Sequence, residues 1–145
     1  MLTNYLFTYK TKSMFTQIKT SKENKEVVSL LTRKLGLGTE NIIARIAYTY
    51  SLSKGTKLDL NNIENSMGKE YNKSVLFGEY ADIYVAMVCT HYNLYKTDKD
   101  IAKYIKMHVD EGLQLLNDEV NERSNIDGFD FLSEKINIGL DLSIL

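Results

Sequence analysis

The sequence predicts a mainly α chain: a compact bundle of about four helices, with a short N-terminal extended segment and a C-terminal strand. Three observations carry this expectation. Apolar residues recur at three- and four-residue spacing in four successive windows of the 145-residue chain. No proline is present to interrupt those windows. The closing stretch "KINIGLDLSIL" instead alternates apolar and polar residues. A hydrophobic content of 43% over this length supports one core and one domain.

The elements follow in order. Residues 1–14, "MLTNYLFTYKTKSM", show no helical period and read as an N-terminal arm, so that either Met1 or Met14 fits a start. "FTQIKT", 15–20, reads as a short extended segment. Thr20 followed by Glu23 fits a capping box, which predicts a helix beginning near Ser21. Its stripe is Val27, Val28, Leu31 and Leu35, and Gly36 sits where a left-handed residue ends a helix. Thr39 can cap the second helix, whose apolar face is Ile42, Ile43, Ile46, Ala47 and Tyr50 and which "SLSKG" ends at Gly55. Residues 56–74, "TKLDLNNIENSMGKEYNKS", read as a long loop with one helical turn.

"VLFGEYADIYVAMVCTHY" is the most apolar segment and is expected to be a helix buried over much of its circumference. Asp98 or Thr97 can cap the last long helix, with Ile101, Tyr104, Ile105, His108, Val109, Gly112, Leu113 and Leu116 on one face. In the tail, Ile136, Ile138, Leu140, Leu142 and Ile144 alternate with polar residues, which predicts a strand pairing with 15–20 or with a neighbouring subunit. The expected organisation is therefore an arm over 1–14, a helical domain over 15–120 and an extension over 121–145.

Composition excludes several classes. No apolar run reaches the roughly 18–20 residues that span a bilayer, and the N-terminus lacks a secretory apolar region, so a cytoplasmic protein with no membrane partner is expected. Cys89 is the single cysteine, which rules out an intrachain disulfide and a cysteine-based zinc site within one chain. The net charge of −1 conceals an asymmetry. Up to Lys57 there are ten Lys or Arg against three acids, a net of +7, and the remainder carries −8. Such a split suits a polyanion on one face and a basic partner or second subunit on the other.

No catalytic, metal or cofactor constellation stands out, and a non-enzymatic chain is expected. His91 and His108 lie on apolar faces of different helices, where a satisfied core histidine is the simpler reading. Glu79 with Asp82, and Asp98 with Asp100, lack further metal ligands. "GLG" at 36–38 lacks the spacing of a dinucleotide or P-loop motif. Lys19, Lys22 and Lys25, by contrast, recur every three residues around a helix N-terminus, where free amides and the helix dipole favour phosphate. The cap itself is thus expected to build an anion site. Arg33 and Lys34 near that helix's end, and Arg45 on the second, could touch a sugar-phosphate backbone without reading bases.

Spaced blocks add a family. The "KTSKEN" start, the "GL" turn into "NIIARIA", the following "SL", the "GKEYN" block entering an apolar helix, and "HVDEGLQLL" cover about residues 15–117. In order and spacing they resemble the DndE family of DNA sulfur modification proteins. The resemblance implies a small helical DNA-binding accessory subunit of DNA phosphorothioation, in which sulfur replaces a nonbridging phosphate oxygen. It implies preference for nicked double-stranded DNA, assembly into homo-oligomers including tetramers, and partners that include a cysteine desulfurase, a sulfur-transfer protein and an ATPase. Lys19, Lys22 and Lys69 fall on motif positions and are the first DNA-contact candidates. Lys25, Lys34, Arg45 and Lys73 join them on charge and placement alone.

Two other readings predict different behaviour. An extended segment followed by two helices joined at a glycine turn is the order of a ribbon-helix-helix transcriptional regulator, whose paired strands enter the major groove. A scaffold without a DNA role would dock a basic partner on Asp110, Glu111, Asp118, Glu119 and Glu122.

Overall fold

The computed structural model describes residues 15–144, with side chains described to Asp141. The arm and its alternative start lie outside the described residues. Strand β1 (Gln17–Lys19) leads into α1 (Lys22–Leu35) and α2 (Glu40–Ser53). A strap with a 3-10 turn at Leu60–Asn62 reaches β2 (Glu70–Asn72), which runs directly into the short α3 (Lys73–Phe77). A 3-10 turn, α4 (Ala81–Tyr92), α5 (Ile101–Asn121) and α6 (Gly128–Ile144) complete the chain. The fold is the expected helical bundle with an extended segment at its start.

Helix α5 is the axis of the domain. Residues 105–110 are all buried, including Lys106, His108 and Asp110, because α1, α2, α4 and β1 surround it. The tightest approach is to α2: a Cβ on Gly112 would lie 1.8 Å from the Ala47 carbonyl oxygen. Ala44 and Ala47 keep the facing side of α2 equally small. Phe15, Tyr48, Phe77 and Tyr84 form an aromatic cluster beside this axis, with the Phe77 and Tyr84 rings stacked at 4.8 Å.

Four local expectations need correction. Ser21, not Thr20, caps α1, its hydroxyl accepting from the Asn24 amide at 3.3 Å. Thr20 is committed elsewhere: its hydroxyl accepts from Lys69 N and its amide donates to Lys69 O, both at 2.9 Å. The N-cap of α5 is Asp100, while Asp98 accepts the Asp100 amide at 2.8 Å in the turn before it. The apolar segment 75–92 breaks at Gly78, whose φ of 60° and ψ of −144° suit only glycine. In α4 only Val88 is fully buried, and Ile83 is 60% exposed.

The C-terminal strand is also overturned, since the tail forms α6. β1 pairs antiparallel with β2 in the register Gln17↔Asn72, Ile18↔Tyr71 and Lys19↔Glu70, so the expected strand partner is in the strap. A helix satisfies its own backbone without a sheet edge, and an alternating run also contains the i,i+4 pairs a helix uses. Gly128 lets α6 start against α1, where a Cβ would meet Leu35 O at 1.8 Å. Phe131 is buried there, Arg123 holds Glu134 through two bonds of 2.7 and 2.6 Å, and Lys135 pairs with Glu119. Among the described residues no helix is long and apolar enough to cross a membrane.

Candidate nucleic-acid interface

The two lysine-bearing sequence blocks, "KTSKEN" and "GKE", lie 49 residues apart and meet in space. The β1–β2 ladder sets Lys19 opposite Glu70, and one step on, the paired Thr20–Lys69 bonds continue it. Gly68 completes the join by donating to Thr20 O at 2.9 Å. A Cβ there would lie 2.1 Å from Ser21 O, so the close approach requires glycine. Ile18 and Tyr71 turn into the core while Lys19 and Glu70 face outward. Lys22 opens α1 immediately afterwards, and Lys25 follows one turn later, both exposed.

The ammonium groups differ in commitment. Lys19 contacts Glu70 and Lys69 contacts Glu40, each at 3.2 Å and partly exposed. Exposed pairs of this kind contribute about 0–1 kcal/mol, so exchange of a carboxylate for a phosphate costs little. Lys22, Lys25 and Arg33 make no ion pair among the described residues. Four lysines, Lys19, Lys22, Lys25 and Lys69, therefore share the edge formed by β1, the end of the strap and the first turns of α1.

The other three candidates lie apart. Lys34 donates to Asn121 Oδ1 at 3.1 Å, near the far end of α1 and about 18 Å along the helix from Lys22. Arg45 donates to Leu76 O at 2.6 Å and Val75 O at 3.4 Å, closing the carbonyl end of α3. Asn41 supports the same end at 3.1 Å. Lys73 opens α3, its amide bonded to Thr16 O at 2.9 Å. Asn72 caps that helix by accepting from Val75 N at 2.9 Å.

The amides of α1 do not form the open anion site expected from the sequence. Asp110 Oδ1 accepts from Ser21 N at 2.9 Å and from Asn24 Nδ2 at 2.7 Å, while Asn65 Oδ1 accepts from Lys22 N at 2.9 Å. A carboxylate from α5 thus already fills the place a phosphate would take. Its own charge is balanced by Lys106, 2.6 Å from Oδ2 and equally buried. Beside this, a cleft of about 330 Å³ under the strap is lined by Glu23, Glu64, Asp110 and Glu111, and its charge repels phosphate. The available positive charge therefore lies on ammonium groups outside the cap.

The sequence offers Asp110 only as part of an acidic docking face, a role its burial and its bonds to Ser21, Asn24 and Lys106 preclude, and it does not single out Asn65. The one available signal was a carboxylate set among the apolar-face residues His108, Val109, Gly112 and Leu113. His108 proves to be a satisfied core histidine: Nε2 meets Tyr92 Oη at 2.6 Å and Nδ1 meets Ser51 Oγ at 2.7 Å. Burial, assisted by His91, pushes its pKa down to about 4, so the ring is neutral near pH 7. Among the described residues no group of three or more His, Cys, Asp or Glu could hold a metal.

Known proteins agree with this architecture. The chain is similar in fold to the crystal structure of DndE from Escherichia coli B7A involved in DNA phosphorothioation modification, with a TM-score of 0.57 and 20% identity, covering 70% of this chain and 96% of that one. It is also similar to a DndE variant with glycine-to-lysine substitutions, involved in DNA phosphorothioation, with a TM-score of 0.59 at the same identity and coverage. No curated protein sequence matches the chain. The family profile described as DNA sulphur modification protein DndE matches residues 17–124, from β1 to just past α5. This chain belongs to the DndE family.

Proposed function

We propose that the chain is a DNA-binding, non-catalytic accessory subunit of the DNA phosphorothioation machinery, holding the phosphate backbone of double-stranded DNA, with nicked duplex its preferred form. The observation that carries the reading is that the β1–β2 pairing brings the Lys69 segment beside the segment of Lys19, Lys22 and Lys25 in a DndE-family domain. Lys73 and Lys34 would extend the contact to either side, and Arg45 would assist by fixing α3. The sulfur-transfer protein and the ATPase of the pathway would be its partners. Aromatic and apolar exposure on α4 and the 3-10 turn before it supports a homo-oligomer, a tetramer among the candidates. Tyr80 and Ile83 are exposed, and a groove between α2 and α4 is lined by Leu52, Ile83 and Met87.

Four phosphate contacts per protomer correspond to a slope of log K against log salt of about −3.6, or about a hundredfold loss of affinity between 50 and 200 mM. Binding to labelled nicked, intact and single-stranded DNA at those two concentrations tests the proposal. Salt-independent retention, or none, rejects it. The ribbon-helix-helix alternative is disfavoured because the ladder it requires from a second copy is made here by β2 of the same chain.

A further inference from the structure

The turn between α4 and α5 presents an aromatic ring that the fold does not use. Asn93 ends α4 with a φ of 56°, and Leu94, whose amide donates to Cys89 O at 2.8 Å, folds inward against the core. The next side chain, Tyr95, is thrust outward and is 86% exposed, more than any other large hydrophobic residue described. The turn beneath it is tied: Tyr95 O accepts from Asp98 N at 2.9 Å, and Asp98 Oδ1 accepts from Asp100 N at 2.8 Å. Tyr92 stacks on Tyr104 at 3.9 Å just behind, which stiffens the support. The ring is therefore presented from a fixed base.

Lysines follow it in sequence, and the acids of the same turn, Asp98 and Asp100, are engaged by the Asp100 amide and by Lys103. Lys96 and Lys99 are exposed and make no ion pair among the described residues, whereas Lys103 is engaged by Asp100 at 2.9 Å. Leu58, whose amide donates to Tyr92 Oη at 2.9 Å, brings exposed Lys57 towards the same end of α4. A protein-docking patch needs contiguous apolar surface, and Leu94 is turned in. One exposed ring on a tied turn, followed in sequence by lysines free of ion pairs among the described residues, instead matches the chemistry of a base stacked on an aromatic face with its phosphates held alongside.

We propose that Tyr95, with Lys96 and Lys99, forms a second nucleic-acid contact that stacks an unpaired nucleobase and holds its flanking phosphates. This rests on the DNA-binding reading above and adds a strand-state preference to it. The α1 edge holds phosphates of any duplex, and the Tyr95 turn engages only bases released from the stack at a gap, a frayed end or a single strand. Stacking on a ring is tolerant of base identity, so the contact adds no sequence specificity.

Fluorescence anisotropy with an intact duplex, the same duplex carrying a short single-stranded gap, and a single strand tests the proposal. Tyr95→Ala should weaken gapped and single-stranded binding about fivefold or more and leave intact duplex unchanged, whereas Tyr95→Phe should retain wild-type affinity. The chain has no tryptophan, so Tyr95→Trp supplies a single reporter whose emission should quench with the single strand. Unchanged binding by Tyr95→Ala, alongside losses in Lys22→Ala and Lys69→Ala, overturns the stacking contact and leaves the α1 edge standing. Equal losses on intact and gapped duplex also overturn it. Absence of DNA binding by the wild-type chain overturns both readings.

Discussion

Asp110 of α5 accepts the backbone N–H of Ser21 at 2.9 Å, across 89 positions of sequence. This bond places a buried carboxylate on the N-terminus of α1 and separates two roles that the local sequence merges. The cap fixes the helix, and the lysines around it remain on the surface. With Lys106, Asn24 and Gln114, which donates to Asn24 Oδ1 at 2.7 Å, Asp110 forms a polar cluster joining α1 to α5.

Breaking this cluster from one side leaves an uncompensated charge. Asp110→Ala should cost about 3–5 kcal/mol in urea unfolding. Lys106→Met combined with Asp110→Asn removes both charges while keeping an acceptor for Ser21, and should cost less than Asp110→Ala alone. A double variant as unstable as the summed single variants would argue against a coupled pair.

His108 predicts a pH dependence with a defined sign. Its folded pKa of about 4 lies below the ordinary 6.5, so between those values the unfolded chain binds more protons. The contribution is therefore fully present above about pH 6.5 and is lost as pH falls towards 4, with a total on the order of a few kcal/mol. Urea midpoints of the wild type should fall across this window. His108→Gln, which removes the titrating ring, should flatten that part of the profile.

Helix α6 predicts an outcome that a strand would not. Removing residues 128–145 should lower the helical circular dichroism at 222 nm, because Gly128–Ile144 is helical. Phe131→Ala should cost about 3–5 kcal/mol, since Phe131 is buried against the domain. A truncation that leaves the helical signal intact would contradict the assignment.

Close backbone approaches predict which glycines resist substitution. Gly112→Ala places a Cβ 1.8 Å from Ala47 O and should destabilise by at least about 1–3 kcal/mol through the separation of α2 from α5. Gly139→Ala meets nothing within 4 Å and should be neutral or slightly stabilising in its helix. Thermal melts of the pair compare the two directly.

Legibility in the sequence followed the range of the interaction. Gly36 and Thr39 mark the α1–α2 boundary and occupy the expected positions, although the Thr39 hydroxyl donates to Asn41 Oδ1 and makes no cap bond to the α2 amides. Thr20 and Ser21 are locally equivalent cap candidates, and only the distant bond to Lys69 decides between them. β2 is three residues long and carries no period of its own; its pairing with β1 creates it. The lysines of the candidate edge were visible as residue types, but not their grouping: Lys69 joins Lys19 through the sheet, while Arg45, equally basic, is drawn to the Val75 and Leu76 carbonyls. The tail's alternation contains i,i+4 pairs as well as a period of two, and the contacts of Phe131, ahead of the alternating run, and of Lys135, its first residue, select the helix.

The central claim is that the ammonium groups of Lys19, Lys22, Lys25 and Lys69 hold DNA phosphates. The most direct measurement is the slope of log K against log salt on nicked duplex for the wild type, Lys22→Ala and Lys69→Ala. The wild-type slope should be about −3.6, and each substitution should reduce its magnitude by about 0.9 as one phosphate contact is lost. Identical slopes for all three proteins would contradict the claim.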